Sequence, residues 1–351
     1  MPSPGIVDVA AEGDVILVCG GGPTDTLSST KIRVSAAVLS NASSVFKAML
    51  RPQFKEGLAL ASASSAVEIP LPADDGEAMK IMCQVIHLRN DVVPKAGLVS
   101  AAVILGVAEL GDKYDCIVAL EPTARHWLAF GGKWKSFAER RDLLTAAYHF
   151  GDGVAFADIG RSLITNTSRS DWESQACDAA APLHKVFGLL EAERKVVLSR
   201  IVELMDAMVE AGLDVRDDGQ CSIACRYSET FTGALIDALR SHRLWPNTTI
   251  VAGTVDETLL NMEIMNQRST DRCGKPCGGR FGKGGCVGAG ELTVYQGAGS
   301  LGDQARGTRD KLGRLCLVCI HEHGKLTRGD CDDESIVPEW EVEYVAPRHG
   351  K

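Results

Sequence analysis

Six cysteines and two histidines crowd the C-terminal part of the chain: Cys273 and Cys277, Cys286, Cys316 and Cys319, His321 and His323, and Cys331. Paired thiolates separated by two or three residues chelate one zinc ion from a single turn, and a second pair far along the chain completes a tetrahedron while closing the intervening loop. Cys273, Cys277, Cys316 and Cys319 are the simplest set for a structural zinc, with Cys286, His321, His323 and Cys331 as substitutes. Arg272, Lys275 and Arg280 would offset part of the charge of a tetrathiolate site. The gap between the pairs is long, so reduced thiols without metal fit the same residues, and a redox or catalytic site would need a base that is not identifiable here.

Other catalytic patterns are incomplete. His321-Glu322-His323 places its imidazoles two residues apart, which on a helix puts them on different faces, unlike the His-Glu-x-x-His arrangement of zinc proteases. The glycine run 279–285 has Lys283 followed by Gly284, without the Ser or Thr that holds magnesium in a phosphate loop, and Gly20-Gly21-Gly22-Pro23 reads as a hairpin turn. No paired carboxylates and no Gly-x-Ser-x-Gly elbow occur, so the expectation is a protein without catalytic function.

Composition narrows the classes further. The 351 residues, 45% of them hydrophobic, suffice for two or three units with ordinary cores. A formal net charge of −9 argues against broad binding to nucleic acid or acidic membranes. No apolar run approaches the ~20 residues that span a bilayer, and the Met1-Pro2-Ser3-Pro4-Gly5 start lacks the regions of a secretory signal, so an intracellular protein, cytoplasmic or nuclear, is expected. In a reducing compartment the twelve cysteines divide into possible metal ligands and core thiols. Cys19, Cys83 and Cys116 lie in apolar contexts that suit the core.

The N-terminal elements are the most sharply patterned. Ile32 and Val34 alternate with Lys31 and Arg33 as in a half-buried strand, and the period then becomes helical, with Val38, Ala42, Val45, Phe46 and Met49 on one face. Ser35 and Ser43 stand where hydroxyls cap two short helices. Upstream, Gly13 to Val18 reads as a strand, and downstream Val67 to Pro72 reads as another. Asp74 and Asp75 are caps for a helix whose Met79, Met82, Cys83 and Ile86 recur at i, i+3, i+4 and i+7, with Glu77 at its positive end.

This succession of hairpin, small-residue helix, Ser-x-x-Phe helix, loop ending in an acidic residue, strand and amphipathic helix resembles a BTB/POZ domain over residues 13–120. Ala108 to Tyr114 resembles the penultimate helix of that family. The runs Ile86 to Asp91 and Asp112 to Cys116 are most similar to its fungal branch, and Ser35 stands where animal members commonly carry histidine. The resemblance implies a module that binds itself, as a homodimer, or another protein. It implies a contribution of Val38 and Leu39 to a dimer face, and it matches Phe54 and Glu56 to the hydrophobic-x-Glu motif with which some relatives contact a cullin scaffold. On the residues alone, Phe54 also reads as a loop anchor packed on its own domain.

The remainder is less sharply patterned. Glu121-Pro122 marks an expected boundary, with Pro122 in a first turn. Helices are expected over 123–130, 136–150 and 183–213. In the last of these Val186, Leu190, Val197, Ile201, Leu204 and Met208 form a stripe that suits core packing, the alternative being a coiled-coil seam. Gly153, Gly160, Gly188 and Gly233 are expected to interrupt this region, and 168–171 to form a loop. From Pro246, residues 248–255 suggest a strand and 256–268 a helix with Leu259, Leu260, Met262 and Met265 on its apolar side. The glycine-rich stretch 278–309 suggests a mobile segment, and 336–345 a last strand.

The expected architecture is therefore α+β: a flexible N-terminus over 1–12, a BTB/POZ-like domain over 13–120, a helical region over 121–245 and a Cys/Gly-rich module over 246–351. The function expected first is a non-catalytic interaction scaffold or adaptor. The alternative is a transcription or chromatin-associated factor whose zinc-stabilised tail contacts nucleic acid through Arg268, Arg272, Lys275, Arg280 and Lys283.

Overall fold

Apolar residues at every second position build a small sheet in the computed structural model, which describes residues 5–20, 29–129, 136–174, 183–214, 236–268 and 301–310. The strands are β1 (Val7–Asp8), β2 (Val15–Cys19), β3 (Thr30–Val34) and β4 (Val67–Leu71), in the spatial order β1-β3-β2-β4. β2 and β3 pair antiparallel with Leu17 opposite Ile32, while β1 joins β3 and β4 joins β2 in parallel. Val15, Leu17, Cys19, Ile32 and Val34 are all fully buried. Of the expected flexible N-terminus over 1–12, residues 1–4 lie outside the described residues, and residues 7–10 are tied to the sheet. Val7 pairs with Ile32, Val9 is buried, and the N–H groups of Val9 and Ala10 both donate to the Arg33 carbonyl.

The chain divides into two compact units, with the division between Ile159 and Gly160. In the first, the sheet leads into α1 (Ala36–Ala42), α2 (Ser44–Met49) and α3 (Lys55–Ser62), then through β4 into α4 (Gly76–Ile86), α5 (Ala101–Lys113), α6 (Ile117–Leu128) and α7 (Phe137–Phe150). α4 is the heart of this core: Met79, Met82, Cys83 and Ile86 are buried as their spacing predicts. Asp75 caps the helix by accepting from Ala78 N–H at 2.8 Å. Asp74 does something else, accepting from Lys113 Nζ and from the Tyr114 hydroxyl at the end of α5. Ser136 and Glu139 form a reciprocal capping box at the start of α7, and Gly151 ends that helix at φ 70°.

Two expectations in this unit fail for local reasons. Ser43 adopts an extended conformation (ψ 123°) between α1 and α2, so the single face drawn through both helices is broken: Leu39 and Phe46 are buried whereas Val45 is 37% exposed. Pro122 lies inside α6, so the chain does not break after residue 120. The bond forgone there is to the carbonyl of Val118, whose side chain stands 83% exposed, on a turn open to water.

The helix α8 (Gly153–Thr165) contains the division, and Gly160 lies within it rather than ending it. The second unit continues with α9 (Arg169–Ser174), α10 (His184–Asp214), α11 (Asn247–Ala252), α12 (Val255–Arg268) and α13 (Leu301–Asp310). The α10 stripe packs as core at Val186, Leu190, Val197 and Ile201, and Gly188 sits in its open side without breaking it. The expected loop at 168–171 is the capped start of α9, with Ser168 N–H donating to Asp171 Oδ2 at 2.7 Å.

The expected strand over 248–255 is not formed: residues 248–252 are helical, and Gly253 and Thr254 link α11 to α12. Thr249 Oγ1 donates to the Pro246 carbonyl at 2.7 Å, Asn247 Nδ2 reaches both oxygens of Asp206 on α10, and no strand is described in this unit for the β-branched run to pair with. Leu259, Met262 and Met265 of α12 are buried as expected, but Leu260 is 50% exposed, being about 100° round the helix from Leu259. Residues 301–309 of the expected mobile stretch belong to α13, whose Ala305 is buried and whose Arg309 pairs with Glu263 at 3.0 Å. Among the described residues no helix is long and apolar enough to cross a membrane.

Candidate interaction face on α1 to α3

The turn between α2 and α3 is tightly built. Ser43 Oγ accepts from Phe46 N–H at 2.9 Å and donates to the Tyr114 carbonyl. Phe46, fully buried, stacks on Tyr114 with ring centroids 4.4 Å apart and planes 6° from parallel. Phe54 N–H donates to the Arg51 carbonyl at 3.0 Å, and the Phe54 carbonyl receives Leu58 N–H at 2.9 Å. Gly57 lets α3 lie against this turn, because a Cβ there would stand 2.0 Å from the Arg51 carbonyl oxygen.

The outcome is an apolar pair in water. Phe54, at the N-cap of α3, is 52% exposed and Leu58, one turn on, is 61% exposed. Phe54 is thus half in water, at the cap that leads into α3. Glu56 is half-buried in the first turn of α3, where its charge suits the helix dipole. Lys47, Arg51 and Lys55, in the same stretch of chain, are also exposed. Leu58 was not singled out by sequence, although its i+4 spacing from Phe54 was the available signal.

No protein-family model, curated protein or solved structure matches the chain. The geometry alone therefore places the remaining residues. Leu39 is fully buried in its own chain, so of the expected dimer-face pair only half-buried Val38 reaches the surface, beside exposed Ala37 and Asn41.

The start of α1 departs from expectation. Ser35 makes no side-chain cap; its own N–H donates to His87 Nε2 at 3.0 Å, and Ala36 N–H donates to Asp14 Oδ1 at 2.8 Å. Neither acceptor was identified from sequence.

Cys19, Cys83 and Cys116 are buried free thiols. Burial pushes Cys19 and Cys116 up to about 12 and raises Cys83 as well, with the Asp74 and Asp75 carboxylates adding to the effect at Cys19. They are neutral core side chains at physiological pH. Cys273, Cys277, Cys286, Cys316, Cys319, Cys331, His321 and His323 all lie outside the described residues, as do Arg272, Lys275, Arg280 and Lys283. Among the described residues no group of three or more His, Cys, Asp or Glu side chains is placed to hold a metal ion.

Proposed function

We propose that this chain is a protein-interaction module whose first unit is BTB/POZ-like and binds a protein partner through α3, without catalysis of its own. The observation that carries the reading is the exposure of Phe54 and Leu58, at 52% and 61%, one turn apart at the start of α3, whereas Phe46 of the preceding α2 is fully buried. Leaving a large apolar side chain half in water forgoes on the order of 1 kcal/mol of burial, a gain that a partner would recover. An aromatic anchor with an adjacent acidic residue is also the arrangement that the resemblance reads as a cullin contact. The order of elements supports the same reading: hairpin, two short helices, strand and amphipathic helix follow one another as that resemblance implies, with the helix α3 where it has a loop.

The partner assigned to the α3 face is a cullin scaffold, and self-association is assigned to the α1 face around Val38. Binding of the purified full chain to the N-terminal region of a cullin, compared with Phe54→Ala, tests the first assignment. Wild-type protein that does not bind, or a variant that binds equally well, refutes it. Light scattering coupled to size exclusion tests the second, and a monomer at micromolar concentration refutes it.

A further inference from the structure

His87, at the C-cap of α4, reaches the start of α1 across 52 residues of sequence. Its Nε2 faces the N–H of Ser35 at 3.0 Å, and its Nδ1 faces the carbonyl of Cys83 at 2.8 Å. A carbonyl only accepts, so Nδ1 carries the proton; an amide N–H only donates, so Nε2 carries none. The two bonds together admit one form of the ring, the neutral Nδ1–H tautomer. Protonation would set a second N–H against that of Ser35, and the start of α1 would lose one of its two external acceptors.

We infer that His87 is a pH-sensitive latch that pins α1 to α4 when neutral and releases the start of α1 when protonated. The charged groups on the neighbouring elements are engaged elsewhere. Asp14, on the approach to β2, accepts from Ala36 N–H, and Asp8 of β1 pairs with Arg33 of β3 at 3.0 Å. Arg89, two residues on from His87, donates to the Val9 carbonyl and to both oxygens of Asp91. None of these side chains is hydrogen-bonded to the ring. Burial holds the imidazole below its usual range, and the Cys83 carbonyl, which favours the charged ring, offsets only part of this.

The sign follows from that direction. A base whose folded pKa lies below its unfolded value gives its full stabilisation above the unfolded pKa of about 6.5, and loses it as pH falls from there through the lowered folded value. The latch is thus closed at neutral pH and opens in acid. It controls the helix that exposes Ala37, Val38 and Asn41, and it stands whether or not α3 is a docking face.

Hydrogen exchange on the full chain, corrected for intrinsic rates, tests the latch on peptides covering residues 33–42. Between about pH 7.5 and 5.5, protection there falls roughly threefold or more in the wild type, while peptides from α5 change little. His87→Gln, whose amide offers a carbonyl to Ser35 and an N–H to Cys83, shows no such loss. Unchanged wild-type protection, or an equal loss in His87→Gln, overturns the inference. Should that variant fail to fold, ¹⁵N shifts of the histidine rings in the wild type decide: the inference requires a neutral Nδ1–H ring for His87 at neutral pH, and either an Nε2–H tautomer or a doubly protonated ring overturns it.

Discussion

Replacing Tyr114 by Phe deletes one oxygen atom and leaves the ring, and the structure says what that atom is worth. Tyr114 is 3% exposed, and its hydroxyl donates to Asp74 Oδ2 while Lys113 Nζ takes Oδ1. The Asp74 side chain is only 2% exposed. Hydrogen bonds to buried charged acceptors contribute about 1.5–3 kcal/mol, and the stack on Phe46 survives the change, so Tyr114→Phe is expected to cost about 2 kcal/mol. In a unit of this size that lowers the unfolding midpoint by about 4–8 °C.

Lys113 offers an internal comparison. Its side chain is 49% exposed, and screening limits its pairing to less than about 1 kcal/mol, so Lys113→Met is the milder change. Equilibrium unfolding in urea, followed by exchange of the α5 amides, measures both. A cycle with Asp74→Asn isolates the Tyr114 contact, with an expected coupling of about 1 kcal/mol or more. A cost for Tyr114→Phe below about 0.5 kcal/mol, or no coupling to Asp74, refutes the assignment of this carboxylate as the clamp between the start of α4 and the end of α5.

In the second unit, Arg194 is 2% exposed and donates to the carbonyls of Thr167 at 3.1 Å and Gly253 at 2.7 Å; Arg194→Met strands both and is expected to cost about 2–4 kcal/mol in urea unfolding, a near-neutral result counting against it. Leu88, just beyond α4, adopts φ 57° with its side chain 79% exposed, so Leu88→Gly relieves left-handed strain without losing burial and should raise stability by about 0.5–1 kcal/mol; a lower midpoint contradicts this. Tag-free protein purified without chelator is expected to carry about one equivalent of zinc on the C-terminal cysteines, and elemental analysis that finds none ends that proposal.

What sequence made legible was periodic and local. The i, i+3, i+4, i+7 recurrence in α4 fixed its buried face, and the alternation in β3 fixed that of the sheet, because one face in each case must be apolar for the element to stay packed. The start of α1 was illegible because its acceptors, Asp14 and His87, come from 22 and 52 residues away. Thr248, Thr249, Ile250 and Val251 carry strand propensity, yet Pro246 and the tie from Asn247 to Asp206 make a helix of them, so tertiary context overrode propensity. The candidate face was half legible: the motif drew attention to Phe54 and Glu56, but whether the ring lies in the core or in water depends on how Gly57 seats α3 on the preceding turn, which no spacing rule encodes.

The claim that α3 is a docking face is tested most directly by calorimetric titration of the full chain with the N-terminal region of a cullin, alongside Phe54→Ala. A half-exposed ring contributes little to folding, whereas an aromatic anchor at an interface is typically worth about 2 kcal/mol or more, so the account predicts roughly 30-fold weaker binding with an unfolding midpoint close to wild type. Undetectable wild-type binding, undiminished binding by the variant, or a folding penalty of about 3 kcal/mol, the cost of emptying a core site, would contradict it.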